Sequence, residues 1–343
     1  MAKVAVIARY AGGKSPYARA IARVLGRVPQ NKFFYEVFCG MGTVASEMID
    51  LDYACFITLV DANPATWAVH ECLQNPESYR CLRKTHVSLL KSPDIIRDVT
   101  ELLREYKSVW ENAYRKSMHG HVTRLLRNTD KIGWDETCRK IEEVRRHTSR
   151  DFTAGFLEEF YCQGKEEIAA RMGYARMIEL TFSRRTNLFD TAEEILYEIP
   201  ALKIHEGLEH LGKRIARVHV LRKQAAISTS QRDAVETISG ALPDSVVFLD
   251  PPYSMKKRNK SYGKYQFTHD DHRQLASALR ARDEDIRWLM TMDDEDATHE
   301  IYADFPRTTV RVRHNLGGLR PEVWIGPPRE EVLIACKAEG GET

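Results

Sequence analysis

The sequence predicts an α/β protein with a doubly wound, mostly parallel sheet, split by a long and mainly helical insertion. Three observations carry that expectation. Short apolar runs that stop abruptly at Gly, Asp or Pro (Phe33–Phe38, Ala54–Val60 and Ser245–Leu249) read as buried strands. Helix-like segments alternate with them at the spacing of βα units. Between Pro76 and about Ala225 the apolar residues instead recur at helical spacing, among many arginines and few β-branched runs.

In chain order, Tyr17–Arg27 is the first expected helix. Phe33–Phe38 is the first strand and ends at Gly40, and Thr43–Ile49 suits the helix after it. Ala54–Val60 is the second strand, closing on Asp61, with Asn63 and Pro64 well placed as the cap and first turn of another helix. Helices are expected over Leu89–Trp110, Trp134–Arg146, Glu166–Phe182 and Ala192–Val220. A short strand precedes Asp233, and Ser245–Leu249 is stopped by Pro251 and Pro252. A helix near Asp270–Arg280, a strand near Ile286–Met292 and two terminal strands, Thr308–Arg313 and Glu331–Cys336, complete the reading. The expected division is a sheet domain over residues 1–75 and 225–343 and an inserted helical subdomain over 76–224.

Composition narrows the function classes. At 43% hydrophobic and 29% charged residues the chain is an ordinary globular one. No apolar run approaches the roughly 18–20 residues that span a bilayer. Val4–Ala8 is too short for a signal h-region and is followed by Arg9, so a cytoplasmic location is expected and no membrane partner. Seven cysteines, an odd number without a C-x-x-C pair, argue for reduced and mostly buried thiols. Twelve histidines form no H-x-x-H cluster, so no metal site is expected. The net charge is only +2, but cations cluster locally: Lys213, Arg214, Arg217, Arg222 and Lys223; Lys256, Lys257, Arg258 and Lys260; and Arg139, Lys140, Arg145, Arg146 and Arg150. Each run suits a solvated face as well as a phosphate contact.

Three short elements carry the chemistry. Asp250-Pro251-Pro252-Tyr253 directly follows a buried strand, where open α/β sheets bind ligands. An exocyclic amine is a poor nucleophile because its lone pair is delocalised into the ring. A carboxylate (Asp250) and a backbone carbonyl (Pro251) can each accept one of its N–H bonds, on a backbone that two prolines hold in place. Tyr253 offers a ring on which a flipped base can stack. The second element, Phe38-Cys39-Gly40-Met41-Gly42-Thr43-Val44-Ala45, puts glycines at a strand–helix turn, with Asp61 21 residues beyond Gly40. That pattern fits an adenosine-type cofactor whose ribose hydroxyls bond Asp61, and equally a nicotinamide dinucleotide in a dehydrogenase. The third, Tyr10-Ala11-Gly12-Gly13-Lys14-Ser15-Pro16, is an anion-binding loop or a simple turn. It is not a P-loop, because the first glycine of that motif is out of register.

Together and in this order, the three elements resemble the Dam-type (D12 class) DNA adenine-N6 methyltransferases. That family's aromatic-A-G-G-K loop corresponds to Tyr10–Lys14, and its E-x-F-x-G-x-G-[ST]-V loop to Glu36–Val44. Its D-x-N corresponds to Asp61-Ala62-Asn63, and its D-P-P-Y to Asp250–Tyr253. Tyr262–Phe267, Asp271-His272 and Leu275-Ala276 continue the likeness, which covers about residues 1–75 and 225–335. The resemblance implies a Rossmann-like methyltransferase sheet with a target-recognition subdomain in the insertion. It also implies S-adenosyl-L-methionine as cofactor and double-stranded DNA as partner. It places cofactor contacts at Tyr10, Gly13, Lys14, Phe38, Gly40, Gly42, Asp61 and Asp250, and an acidic residue near the cofactor's adenine at Asp233. Catalysis falls to Asp250, Pro251, Pro252 and Tyr253. Cytosine N4 or RNA as acceptor, and a DNA-binding regulator without catalysis, are the other functions compatible with these residues.

Overall fold

The four residues Val246–Leu249 are buried on both sides, which is what a central strand between two helical layers requires. They form β4 of a seven-stranded sheet in the computed structural model, which describes residues 7, 14, 16–26, 32–53, 56–107, 165–182, 192–230, 232–252, 267–313 and 319–338. The other strands are β1 (Phe34–Val37), β2 (Phe56–Val60), β3 (Ala226–Ser230), β5 (Arg287–Asp293), β6 (Arg307–Arg313) and β7 (Leu319–Ile325). Their order is β3-β2-β1-β4-β5-β7-β6. The first five run parallel, and β7 lies antiparallel between β5 and β6. The chain steps outward from β1 to β3 and then returns to β4 at the other side of β1. The order therefore reverses between β1 and β4, the crevice where such sheets bind ligands. This mixed, mostly parallel sheet is consistent with a methyltransferase fold.

Alternation along the strands builds a core on each face. Val246 and Phe248 join Phe34, Ile57, Leu59 and Trp324 under the helices Ala18–Leu25, Thr43–Asp50 and Arg329–Ala338. Val247 and Leu249 join Val37, Val60, Met290 and Val323 under Ala234–Ser239, His269–Arg280 and Asp296–Ile301. Each fully buried Leu, Ile, Val or Phe in these layers contributes about 1.5–3 kcal/mol relative to exposure.

The chain divides into two compact units. One, residues 1–61, 210–262 and 266–343, holds the sheet. The other, residues 62–209 and 263–265, is helical among its described elements: Pro64–Gln74, Pro76–Leu90, 95–107, Lys165–Phe182, Ala192–Leu196 and the start of Ala201–Arg222. Asn63 caps the first of these helices through the Ala65 amide and Asn75 caps the second through Glu77 and Ser78, each ahead of a proline. No described helix is long and apolar enough to cross a membrane.

Three elements differ from the sequence expectation. Glu331–Cys336 is not a strand but part of the helix Arg329–Ala338. Val332, Ala335 and Cys336 are buried at helical spacing, and Glu330 and Glu331 sit in a first turn that favours acids. The last strand is instead β7, which the sequence expectation does not include and which Pro321 argues against. The segment Ala192–Val220 is two helices, broken ahead of Ala201 at Pro200. Likewise, one helix closes at Leu90 and the next begins at 95, beyond Pro93, in place of a single helix from Leu89. The segment Trp134–Arg146 lies outside the described residues.

Candidate active site

Register brings two loops side by side at the switch point. Val37 pairs with Val60 on one side and with Leu249 on the other, so the chain leaves β1, β2 and β4 at one level. The Cys39 amide donates to the Val60 carbonyl at 3.0 Å, the Gly40 amide to Asp61 Oδ2 at 3.1 Å, and the Asp250 amide to the Val37 carbonyl at 3.3 Å.

The loop after β1 turns tightly. Phe38, Gly40 and Gly42 have φ of 58°, 49° and 65°. For Phe38 this left-handed backbone costs roughly 1–2 kcal/mol, whereas Gly42 adopts it without a Cβ clash. Gly42 is also the N-cap of Thr43–Asp50 and has no side chain to cap with. Glu36 on β1 takes that role: its carboxylate accepts the Val44 amide at 3.3 Å and the Ala45 amide at 2.7 Å. Burial pushes the Glu36 carboxyl up to about 8, against the pull of those two amides and of the Arg222 charge. Cys39 is 5% exposed and packs in the core under Thr43–Asp50, and burial pushes its thiol well above its ordinary value, which suits a packing residue.

The loop after β4 begins at Asp250. Its Oδ1 lies 2.7 Å from Lys14 Nζ and accepts the Thr291 hydroxyl at 3.0 Å. The Lys14 side chain is 3% exposed and that of Asp250 18%, so the carboxylate reaches the surface while its counter-charge stays inside. Lys14 Nζ is also 4.0 Å from Glu322 Oε1, which accepts the Tyr17 hydroxyl at 2.6 Å. Burial raises the Glu322 carboxyl above the usual carboxylate range, against the pull of Lys14 and Tyr17. It raises the Tyr17 hydroxyl too, with Glu322 adding to the effect.

The structure thus brings Lys14 to Asp250, although 235 residues separate them in the sequence, and brings Asp61 to the glycine loop. The Phe38 ring meets Phe267 edge-on at 5.1 Å. Asp233 follows β3 and caps the helix Ala234–Ser239, its Oδ1 accepting the Val235 amide at 2.9 Å and the Glu236 amide at 3.4 Å. Pro251 is buried and Pro252 half-buried. Tyr10, Gly13 and Tyr253 lie outside the described residues, as do the basic groups 139–150 and 256–260. In the remaining basic group Arg222 is buried, continuing the inward stripe of Leu211, Ile215 and Val218. It is a counter-charge for Glu36 and not a surface phosphate contact. Sequence reasoning missed Tyr17, Thr291 and Glu322, and took Glu36 only as a motif letter. The one available signal for Glu322 was an acid beside the apolar run Val323–Ile325.

Comparison with known proteins agrees with this geometry. No curated protein gives a significant match. The family model described as D12 class N6 adenine-specific DNA methyltransferase matches residues 10–316, from ahead of Lys14 to beyond β6. The chain therefore belongs to the D12 class N6 adenine-specific DNA methyltransferases, enzymes that methylate DNA on adenine N6 with S-adenosylmethionine.

Proposed function

We propose that the loops after β1 and β4 form a methyl-transfer site in which Asp250 and the Pro251 carbonyl accept the two N–H bonds of an adenine N6 amino group. The adenine is flipped out of duplex DNA and stacked on Tyr253. The observation that carries this reading is the position of Asp250. It stands at the topological switch point, held from inside by Lys14 and Thr291 through one carboxylate oxygen, and it reaches the surface. Accepting both N–H bonds localises the amine lone pair and aims it. The alkylated amine is strongly acidic and loses its proton without a finely tuned base, so placement and electrostatics supply most of the acceleration.

The residues around the glycine loop suit S-adenosylmethionine, which when bound supplies an electrophilic methyl group on a sulfonium. Asp61 is a half-buried carboxylate at the end of β2, suited to ribose hydroxyls. The left-handed turns at Gly40 and Gly42 let the backbone approach a ligand closely. Phe38 offers a ring, and Tyr10, Gly13, Lys14, Asp233 and Asp250 complete the cofactor side of the site. The helical insertion, expected from the sequence over residues 76–224 and overlapping the compact unit 62–209, reads the target sequence, with phosphate contacts positioning the duplex.

The test is Asp250→Ala in the full chain, assayed on duplex DNA with nucleoside analysis of the product. The expected outcome is a loss of about a thousandfold or more in kcat with DNA affinity changed less than threefold, and N6-methyladenine as the wild-type product. Near wild-type turnover by the variant, or N4-methylcytosine as the product, would refute the reading.

A further inference from the structure

Tyr17 and Glu322 meet from opposite ends of the chain, and neither is exposed: Tyr17 is 8% accessible and Glu322 0%. A buried carboxylate in the middle of a strand is costly unless something requires it. Glu322 and Trp324 stand on one face of β7, two residues apart. Tyr17 uses both: its ring packs 6.1 Å from Trp324, and its hydroxyl donates to Glu322. Lys14 stands over the same tyrosine, its Nζ 5.9 Å from the ring centroid, and the Tyr17 amide closes a turn onto the Lys14 carbonyl at 3.0 Å. Lys14 is therefore fixed along its backbone, along the tyrosine ring and at its ammonium, which lies between Asp250 and Glu322. On the far side, Thr291 of β5 holds the same Asp250 oxygen, and Thr291 is the cross-strand partner of Trp324.

We propose that Glu322, with Tyr17, is a positioning residue for methyl transfer: the Tyr17–Glu322 hydrogen bond sets where the Lys14 ammonium stands, and through it how Asp250 is presented to the acceptor amine. Glu322 lies beyond residue 316, where the family match ends. It works without touching substrate. A carboxylate that turns by a fraction of an ångström no longer meets both the amine and its own supports, so the penalty falls on the chemical step more than on binding. The inference rests on the assignment of Asp250 as the acceptor for the amine.

The experiment uses the full-length protein on duplex DNA, with each preparation normalised by active-site titration below its unfolding range. Tyr17→Phe keeps the ring on Trp324 and under Lys14 and removes only the hydroxyl. Glu322→Met keeps the length and removes the acceptor, whereas Glu322→Gln keeps an acceptor for the hydroxyl. Tyr17→Phe and Glu322→Met should each lower kcat about tenfold, with KM for DNA and for S-adenosylmethionine within twofold. The double variant should be no worse than either single one, because both remove the same contact. Glu322→Gln should recover at least a third of wild-type kcat. If Glu322→Met does not fold, Tyr17→Phe alone decides. Unchanged kcat per folded molecule, a loss confined to KM, or additive losses in the double variant would overturn the inference. An Asp250→Ala arm separates the two levels. If that variant is active, the assignment of Asp250 fails; if it is inactive while Tyr17→Phe is wild-type, only the positioning role fails.

Discussion

Each of the two units buries an ion cluster, and the two are built on opposite arithmetic. In the helical unit one carboxylate, Glu179, meets two cations, Arg176 and Lys107, with Glu179 and Arg176 almost fully enclosed. Burial pushes Glu179 up, but the two cations outweigh it and hold the carboxyl below the usual carboxylate range. In the sheet unit one cation, Lys14, faces two carboxyls, Asp250 and Glu322, and one of these reaches the surface. The carboxylate of the first cluster is closed off from solvent. In the second, the Asp250 carboxylate reaches the surface while Lys14 stays inside, as the proposed transfer to an amine requires. Buried charge alone does not mark a site; a carboxylate that is paired from inside and reaches the surface beside a loop is the better sign.

Removing the carboxylate from each cluster separates them most widely. Glu179→Ala removes the carboxylate shared by the buried Arg176 and the half-buried Lys107 and should cost about 3–5 kcal/mol of unfolding free energy, with kcat per folded molecule unchanged. Asp250→Ala should abolish turnover; because Asp250 is partly exposed and Glu322 still stands 4.0 Å from the Lys14 ammonium, it should cost less unfolding free energy than Glu179→Ala. Equilibrium urea unfolding beside single-turnover assays on the same preparations checks both halves. A folded but inactive Glu179→Ala, or an Asp250→Ala as unstable as Glu179→Ala, would erase the distinction.

The two clusters also differ in how far the sequence reveals them. The glycine loop, Asp61 and the D-P-P-Y turn are legible because a ligand-binding turn needs special backbone residues in a short span. Pro251 and Pro252 announce the end of β4, and the glycines announce the turn after β1. The β1–β4 pairing follows from the doubly wound pattern. Tyr17–Glu322 spans 305 positions and leaves no local periodicity to read. Pro321 hides its strand, because proline cannot donate to a ladder and argues against a strand where it stands. The opposite error, a strand over Glu331–Cys336, arises because a short apolar run fits either a strand or one side of a helix. Only its packing against the core that also contains Trp324 decides for the helix. In the helical unit, helical spacing reveals the elements but not which charged residues turn inward.

A smaller effect probes the packing that surrounds the closed cluster. Gly173, in the helix Lys165–Phe182, lies so close to Pro64–Gln74 that a Cβ there would stand 2.5 Å from the Ala68 carbonyl oxygen and 2.8 Å from Cys72 Sγ. Alanine normally favours a helix over glycine by nearly 1 kcal/mol. Here the clash is with backbone that cannot swing aside, and overpacking of this kind costs about 1–3 kcal/mol. Gly173→Ala should therefore lower the thermal midpoint, the reverse of the propensity expectation, while leaving kcat per folded molecule unchanged. A raised midpoint would mean that the two helices move apart at little cost.

The smallest effect, and the most direct contrast between the units, is the dependence of stability on pH. Glu36 in the sheet unit has its carboxyl raised to about 8 by burial. Because the folded value exceeds the unfolded one, its stabilising contribution is complete below about 4.5 and declines as pH rises toward 8. Glu322, also raised by burial, acts in the same direction. His272, buried against Phe267 and bonded to Tyr302, is depressed to about 3 by burial, so its contribution is complete above about 6.5 and is lost only as pH falls below that. Glu179, being depressed, likewise weakens the helical unit only in acid, as pH falls through the carboxylate range. Between pH 6.5 and 8, then, the sheet unit alone should soften, by on the order of 1 kcal/mol per pH unit. Hydrogen exchange followed by mass spectrometry, corrected for intrinsic rates, should show β1 and Thr43–Asp50 losing protection across that window while Lys165–Phe182 does not. Glu36→Gln keeps an acceptor for one of the two helix amides but cannot ionise, so it should flatten the slope in the sheet unit. A slope that survives this substitution undiminished would mean that Glu36 does not titrate in this window and that another buried acid, such as Glu322, carries the dependence.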